Sequence, residues 1–312
     1  MFKRLLQRII DSALVQAGLN LAKRLKPIGF EGLSLYEVAV FFIEGLQKGA
    51  LATRAAAISF RFFLAVFPVI IMLLTLIPII PIDNFQDNLF NSIREFFPGD
   101  TFALFEDTVE DLVNKSHSTI FSIGFILSVY YASNSVNAIL QGFNGSYNLE
   151  SRGHPMVIRL VSVVLLIFLS LFLVIAVSLI IFSGVAFDKL IELSLLKEDW
   201  IFLLQLAKWV ITVLLIYGTI TTLYNIGDFK NRRWKTLSAG ATVTTLLFII
   251  TSLAFAWFVN NFSSFNRLYG SLGSFLLLLI WINLNSSILL IGFELNTSIN
   301  KAKSDALQVE NA

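Results

Sequence analysis

Arg61, Glu294 and Lys208 fall in stretches that otherwise hold almost only apolar residues, and Lys208, near the outer end of its stretch, can extend outward. An ion in hydrocarbon is costly and persists there only with a partner or a task, so each is a functional candidate by default. Polar groups accompany them. Ser133, Asn134, Ser135, Asn137 and Gln141 fall in one apolar stretch, and Asn283, Asn285, Ser286 and Ser287 precede Glu294 in another. Two chemistries fit this pattern. In one, Arg61, Asn134, Asn137 and Glu294 line a cavity open to the cytoplasm, where Arg61 holds an anionic group. In the other, Arg61 pairs with Glu294 or extends its charge toward the headgroups, while the amides and hydroxyls bond neighbouring helices as packing contacts. Enzyme signatures are missing: there is no Walker loop, no dinucleotide glycine fingerprint, no His-Glu-x-x-His and no Gly-x-Ser-x-Gly. With no cysteine, and two histidines 37 positions apart, thiolate and imidazole metal sites are close to excluded. No residue is assigned to catalysis or metal binding, and no cofactor is expected.

The elements that must carry these groups follow from composition. Hydrophobic residues make up 56% of the chain and charged residues 14%, with a mean hydropathy of +0.77. A soluble domain carries roughly 25% charged residues, and a chain with so few could not cover its own surface in water. Thirty Phe and five Trp are too much apolar mass for a solvated coil. The apolar residues run continuously rather than alternately, which selects helices over a transmembrane barrel. Six stretches are long enough to cross a ~30 Å hydrocarbon core: about 55–80, 119–142, 157–184, 201–224, 237–260 and 272–297.

Lys and Arg in alternate loops set the orientation. Sixteen fall on the side of the N-terminal segment and five on the other, so both termini are expected in the cytoplasm. Residues 1–53 form a cytoplasmic segment whose first part, with Phe2, Leu5, Leu6, Ile9, Ile10, Ala13, Leu14 and Ala17 at helical spacing beside Lys3, Arg4 and Arg8, suits an anionic membrane face. Residues 82–118 hold two short amphipathic, acidic helices broken at Phe97-Pro98-Gly99, an outer cap between the first two spans. Residues 299–312 form a cytoplasmic tail. Pro68 falls mid-way along the first span, where it frees the carbonyl of Leu64 and permits a kink. Gly270 and Gly273 open the last span and allow a tight turn or close packing.

The motifs identify a resemblance. Ala55-Ala56-Ala57-Ile58-Ser59-Phe60 with Phe67-Pro68, then Ala132-Ser133-Asn134-Ser135-Val136-Asn137-Ala138 and Phe143-Asn144-Gly145-Ser146-Tyr147, stand in order. Arg152, Leu223-Tyr224, Trp234, Gly240-Ala241, Tyr269-Gly270-Ser271-Leu272-Gly273, Trp281 and Gly292-Phe293-Glu294-Leu295-Asn296 follow. Over about residues 35–300 the chain resembles the YihY/virulence factor BrkB family, once labelled ribonuclease BN-like. After Leu223-Tyr224 the family continues through an arginine and a proline, whereas this chain reads Asn225-Ile226-Gly227-Asp228-Phe229. The resemblance implies six spans and a bacterial inner-membrane address. It brings envelope and serum-resistance phenotypes and a discussed transport role, with no settled activity.

The expectation is an all-α, polytopic protein of the bacterial cytoplasmic membrane, with a six-span domain over 54–298 and amphipathic interfacial helices. Its partners are the lipid bilayer and an amphiphilic or anionic small molecule; nucleic acid is not expected. A non-ATPase transporter or flippase-like role leads, and a structural or partner-binding role in the envelope is the alternative. Because the chain lacks cysteine, the single variants Arg61→Cys, Asn134→Cys, Asn137→Cys and Glu294→Cys report access cleanly. Labelling by a membrane-impermeant thiol reagent from the cytoplasmic side is the outcome expected of a cavity; protection of all four is the outcome of a packed interior.

Overall fold

The computed structural model describes residues 23–26, 29–30, 32–76, 78, 110–111, 118–147, 154–192, 198–228, 234–261 and 271–310. These residues form helices and no strand. A short α1 (Leu35–Lys48) is followed by α2 (Leu51–Leu76), α3 (Ser118–Asn144), α4 (Pro155–Glu192), α5 (Glu198–Gly227), α6 (Ala239–Asn261) and α7 (Ser271–Glu310). Six of them, α2 to α7, are long and apolar enough to cross a membrane. The amphipathic segment at residues 2–17 and nearly all of the acidic cap at 82–118 lie outside the described residues, as does Gly270.

Local chemistry sets the helix ends. Ser34 caps α1: its hydroxyl accepts from the Glu37 amide, while the Glu37 carboxylate accepts from the Ser34 amide and hydroxyl, each at 2.7 Å. Those bonds hold the Glu37 carboxyl below its usual value. Helix α2 stays continuous across Pro68. Helix α7 runs on through Glu310, beyond the stretch 272–297 read as the last span.

The chain divides into two compact units. The first comprises residues 1–54, 140–250 and 287–312, and the second 55–139 and 251–286. In the first, α4 lies beside α5, and the centre is aromatic. Phe143 stacks on Phe293 with centroids 4.1 Å apart, and Tyr224 meets both rings edge-on at 5.5 and 5.7 Å. Such pairs add about 0.5–1.5 kcal/mol each beyond the area they bury. Gly227 leaves room for the Phe143 ring, since a methyl there would stand 2.5 Å from it. Around this centre α6 and α7 approach through two glycines, where a Cβ on Gly240 would overlap the Gly292 carbonyl and one on Gly292 would overlap the Thr244 hydroxyl. Small residues at a helix contact are what close packing in lipid requires.

In the second unit, Phe63, Phe67 and Phe275 form a smaller cluster with centroids 5.2–6.5 Å apart. Ser59 donates to the Ala55 carbonyl and accepts from the Asn283 amide at 3.2 Å. Much apolar surface remains outside both clusters: Leu160, Phe202, Leu206, Leu214, Leu246 and Trp257 are all exposed. Water would not tolerate such a surface, and hydrocarbon does.

The glycine contacts yield a paired test. Gly292→Ala overpacks the α6–α7 contact and is expected to lower stability in detergent by about 1–3 kcal/mol or more. Gly218→Ala, whose new methyl meets nothing within 4 Å, is expected to hold or gain stability by up to about 1 kcal/mol, because alanine is the better helix former. Thermal unfolding of the two purified variants checks both.

Candidate functional site

The candidate site builds outward from Glu294. It sits in the part of α7 belonging to the first unit, and its side chain is 0% exposed. One carboxylate oxygen, Oε2, accepts from Arg54 Nη2 at 3.4 Å. The other, Oε1, is buried with no hydrogen-bond partner among the described residues. Charge-assisted bonds of this kind usually close to about 2.7–2.9 Å, so the pair is stretched and half-made.

Arg54, at the N-terminal turn of α2, is itself 12% exposed. Its Nη1 donates to the Gly142 carbonyl at 2.8 Å, while its Nε is buried without a partner. Glycines shape its seat: a methyl on Gly49 would stand 2.7 Å from Nη2, and one on Gly145 would stand 3.1 Å from Cδ. The sequence thus clears space for a guanidinium and then supplies one carbonyl and one distant carboxylate oxygen. A donor at Nε and an acceptor at Oε1 are left over.

One helical turn beyond Glu294 along α7, the polar environment continues. Thr297 and Ser298 donate their hydroxyls back to the Glu294 carbonyl at 3.0 and 2.6 Å, and Thr297 also bonds Ser146 at 3.1 Å. Thr297 lines a cavity of about 30 Å³ together with Asn225, Asp228, Lys235, Asn296 and Asn300. A water molecule needs roughly 10–15 Å³ of such space, so the cavity holds about two waters and no organic ligand. Asn300 bridges its charged ends, accepting from Lys235 Nζ at 2.8 Å and donating to Asp228 at 3.2 Å. Asn296 accepts from the Gly240 amide at 2.8 Å and donates to Ser238 at 3.1 Å, so α7 caps the start of α6. Deeper in, Tyr224 bonds Thr244 at 2.6 Å and donates to the Leu289 carbonyl at 2.7 Å.

The sequence-derived residues are distributed as follows. Glu294 belongs to the first unit, whereas Arg61, Asn134 and Asn137 belong to the second. Arg61 is half-buried and forms no ion pair among the described residues, and its backbone carbonyl accepts from Ser135 at 2.9 Å. Asn134 is half-buried and Asn137 buried, and both have polar or ring partners. Pro68 is buried within α2, and Gly273 is buried near the start of α7. The cation on Glu294 is Arg54, seven residues before the Arg61 that the sequence pattern singles out. Asn225, noted in the sequence only as a departure from the family pattern, has a structural task. It stands where the family pattern departs and grips the Lys235 backbone at both amide and carbonyl. Among the described residues no group of three His, Asp or Glu could hold a metal ion.

Comparison with known proteins agrees with the motifs. The sequence profile of the family described as Virulence factor BrkB matches residues 42–312. A Bacillus subtilis (strain 168) protein named as ribonuclease-like, YfkH, is 27% identical over 258 residues, covering 80% of this chain and 90% of its own length. A Haemophilus influenzae (strain 86-028NP) UPF0761 membrane protein, NTHI0384, is 19% identical over 276 residues, covering 86% and 97%. A third, from Aggregatibacter aphrophilus (strain NJ8700) and also named a UPF0761 membrane protein, is 21% identical over 271 residues, covering 85% and 93%. No solved structure matches. The chain belongs to the virulence factor BrkB family and is a multi-pass membrane protein.

Removing one partner of the buried pair should cost far more than removing both. Arg54→Ala is expected to lose about 3–5 kcal/mol, because Glu294 is left buried and uncompensated. Adding Glu294→Leu to that variant should recover most of the loss, as replacing a buried ion pair by apolar groups is often neutral. Unfolding in a denaturing detergent titration measures both.

Proposed function

We propose that this member of the virulence factor BrkB family is a transporter or flippase-like protein of the bacterial cytoplasmic membrane, working without ATP. Both termini face the cytoplasm, and the substrate is an amphiphilic or anionic compound of the envelope. The observation that carries the proposal is the stretched Arg54–Glu294 pair, with a buried donor and a buried acceptor left unmade. A fold that needed only stability would gain as much from two apolar side chains. An arginine whose nearest anion stands off at 3.4 Å is instead available to an anionic group that comes closer.

In this reading Arg54 receives the anionic part of the substrate and Glu294 is its resting counter-ion. Arg61, Asn134 and Asn137 remain candidates for polar contacts with the substrate on their chemistry alone, and Pro68, Gly270 and Gly273 for the movement that transport needs. The charge bias that directs both termini inward is the sixteen-to-five distribution of Lys and Arg. The cavity beside Thr297 is far below the roughly 300–1,000 Å³ of a ligand pocket, so loading requires the pair to open. RNA cleavage, suggested by the name of the Bacillus relative, is not part of this reading: a carboxylate at 0% exposure is shut off from so large a polyanion.

One observation favours the second reading, a structural or partner-binding membrane protein. The Phe143, Tyr224 and Phe293 rings are in contact with one another, and the Gly240–Gly292 approach leaves no room for a methyl group. Reconstitution separates the two. In proteoliposomes carrying a fluorescent anionic phospholipid, the wild-type protein should speed loss of signal to a membrane-impermeant quencher, and Arg54→Gln should slow it by about tenfold or more, a loss of at least one charge-assisted contact. Wild-type protein no faster than empty vesicles, with anionic and zwitterionic lipids alike, assigns the chain to the structural reading.

A further inference from the structure

Helix α1 is apolar on two opposite sides, and the protein's interior takes up one of them. Val38 is buried, and with the partly buried Phe42 it packs among Phe30, Ala239, Leu295 and Ile299. Those partners include the start of α6 and the later part of α7, all within the first unit. On the other side, Tyr36, Val40 and Ile43 recur at intervals of four and three and so form one stripe. All three are exposed, Val40 at 47% and Ile43 at 53%. A surface helix bathed in water carries polar groups on that outer face. The two acids of α1 do not supply it, since Ser34 holds Glu37 and both Lys48 and Tyr147 engage Glu44.

The stripe begins beside a basic cluster. Lys23, Arg24 and Lys26 are all exposed, as is Leu25 between them. Two contacts fix this segment against α1: the Leu25 carbonyl accepts from the Leu35 amide at 2.9 Å, and Lys23 Nζ stands 5.1 Å from the centre of the Tyr36 ring. Glu37 offsets one of the three cations, and Glu44 and Lys48 cancel at the far end of the helix. The surface is therefore apolar along its middle and positive at one end. Such a helix suits an anionic bilayer face, with its apolar side at the acyl boundary and its basic side chains reaching phosphates. We propose that α1 is an in-plane helix docked on the membrane surface, with Tyr36, Val40 and Ile43 in the acyl boundary and Lys23, Arg24 and Lys26 on anionic lipid headgroups. In the orientation proposed above the leaflet is the cytoplasmic one. The docking itself requires neither transport nor the segment at residues 2–17.

Spin labels test this in the full chain, which has no cysteine of its own. Val40→Cys and Ile43→Cys replace exposed side chains, and each label is read in bilayers of phosphatidylcholine mixed with phosphatidylglycerol. Lipid contact makes oxygen the better relaxing agent and a water-soluble nickel chelate the poorer one, which is the result expected at both positions. The reverse preference places α1 in water and overturns the docking. Protection from both agents means that protein covers the stripe, either residues 2–17 or a second copy of the chain, and overturns it equally. A fluorophore on the same cysteines then reads the headgroup. Brominated phosphatidylglycerol should quench it more than brominated phosphatidylcholine. The combined variant Lys23→Gln, Arg24→Gln and Lys26→Gln should lose that preference, by about fivefold for each cation that touches the headgroups. Equal quenching by the two lipids, with and without the three cations, overturns the anionic partner. Lipid-facing labels in a protein that moves no lipid leave the docking intact and remove the transport reading. Translocation by a protein whose labels stand in water does the opposite.

Discussion

Hydrocarbon supplies no hydrogen bonds, and nearly every polar contact in this protein answers that constraint. Helices satisfy their own backbones, so what remains to be resolved is side chains and helix ends. Hydroxyls within the spans return to the carbonyl three or four residues back, as Ser59, Thr75, Ser128, Ser162 and Thr245 do. The exposed amides at the start of α6 are met by Ser238 and by Asn296 reaching across from α7. That crossing is feasible because Gly240 and Gly292 bring the two backbones together. Glycine spacing, amide capping and the aromatic cluster beneath them form one mechanical unit, and a methyl group in the wrong place disturbs all three.

Against that background the Arg54–Glu294 pair stands out because its incompletely bonded members are charged. Elsewhere in the same unit amides are doubly engaged: Asn225 makes bonds to Thr221 and Lys235, and Asn296 to Gly240 and Ser238. Among the described residues the buried Arg54–Glu294 contact stays at 3.4 Å, and Thr221 Oγ1, Ser252 Oγ and Asn285 Oδ1 are likewise buried without a partner. Coulomb attraction at that distance remains substantial in a low-dielectric setting, while the short directional bonds are missing. Such a pair keeps its charge attraction without the short bonds that would fix its geometry.

Much of this was legible in the amino-acid order, for reasons that also explain what was not. Six apolar stretches of spanning length announce six helices because bilayer thickness sets one length for all of them. The extension of α7 through Glu310 was hidden, since beyond the hydrocarbon a helix need not be apolar and the length rule falls silent. Glu294 was conspicuous as a carboxylate in an apolar run. Its partner was not: Arg54 and Arg61 are seven residues apart and share a helix face, so periodicity cannot choose between them. The choice is made by three-dimensional neighbours, the Gly142 carbonyl and the clearances at Gly49 and Gly145. Asn225 was read as a departure from a pattern, and only the positions of the Lys235 amide and carbonyl reveal what it holds.

The ion pair joins residues separated by 240 positions in the chain. At ribosomal speeds of about 5–20 residues per second, Arg54 is made roughly 12–50 s before Glu294 exists. Until then the guanidinium of the first span can meet the Gly142 carbonyl but not this carboxylate, so the pair closes only once the sixth candidate span has been made.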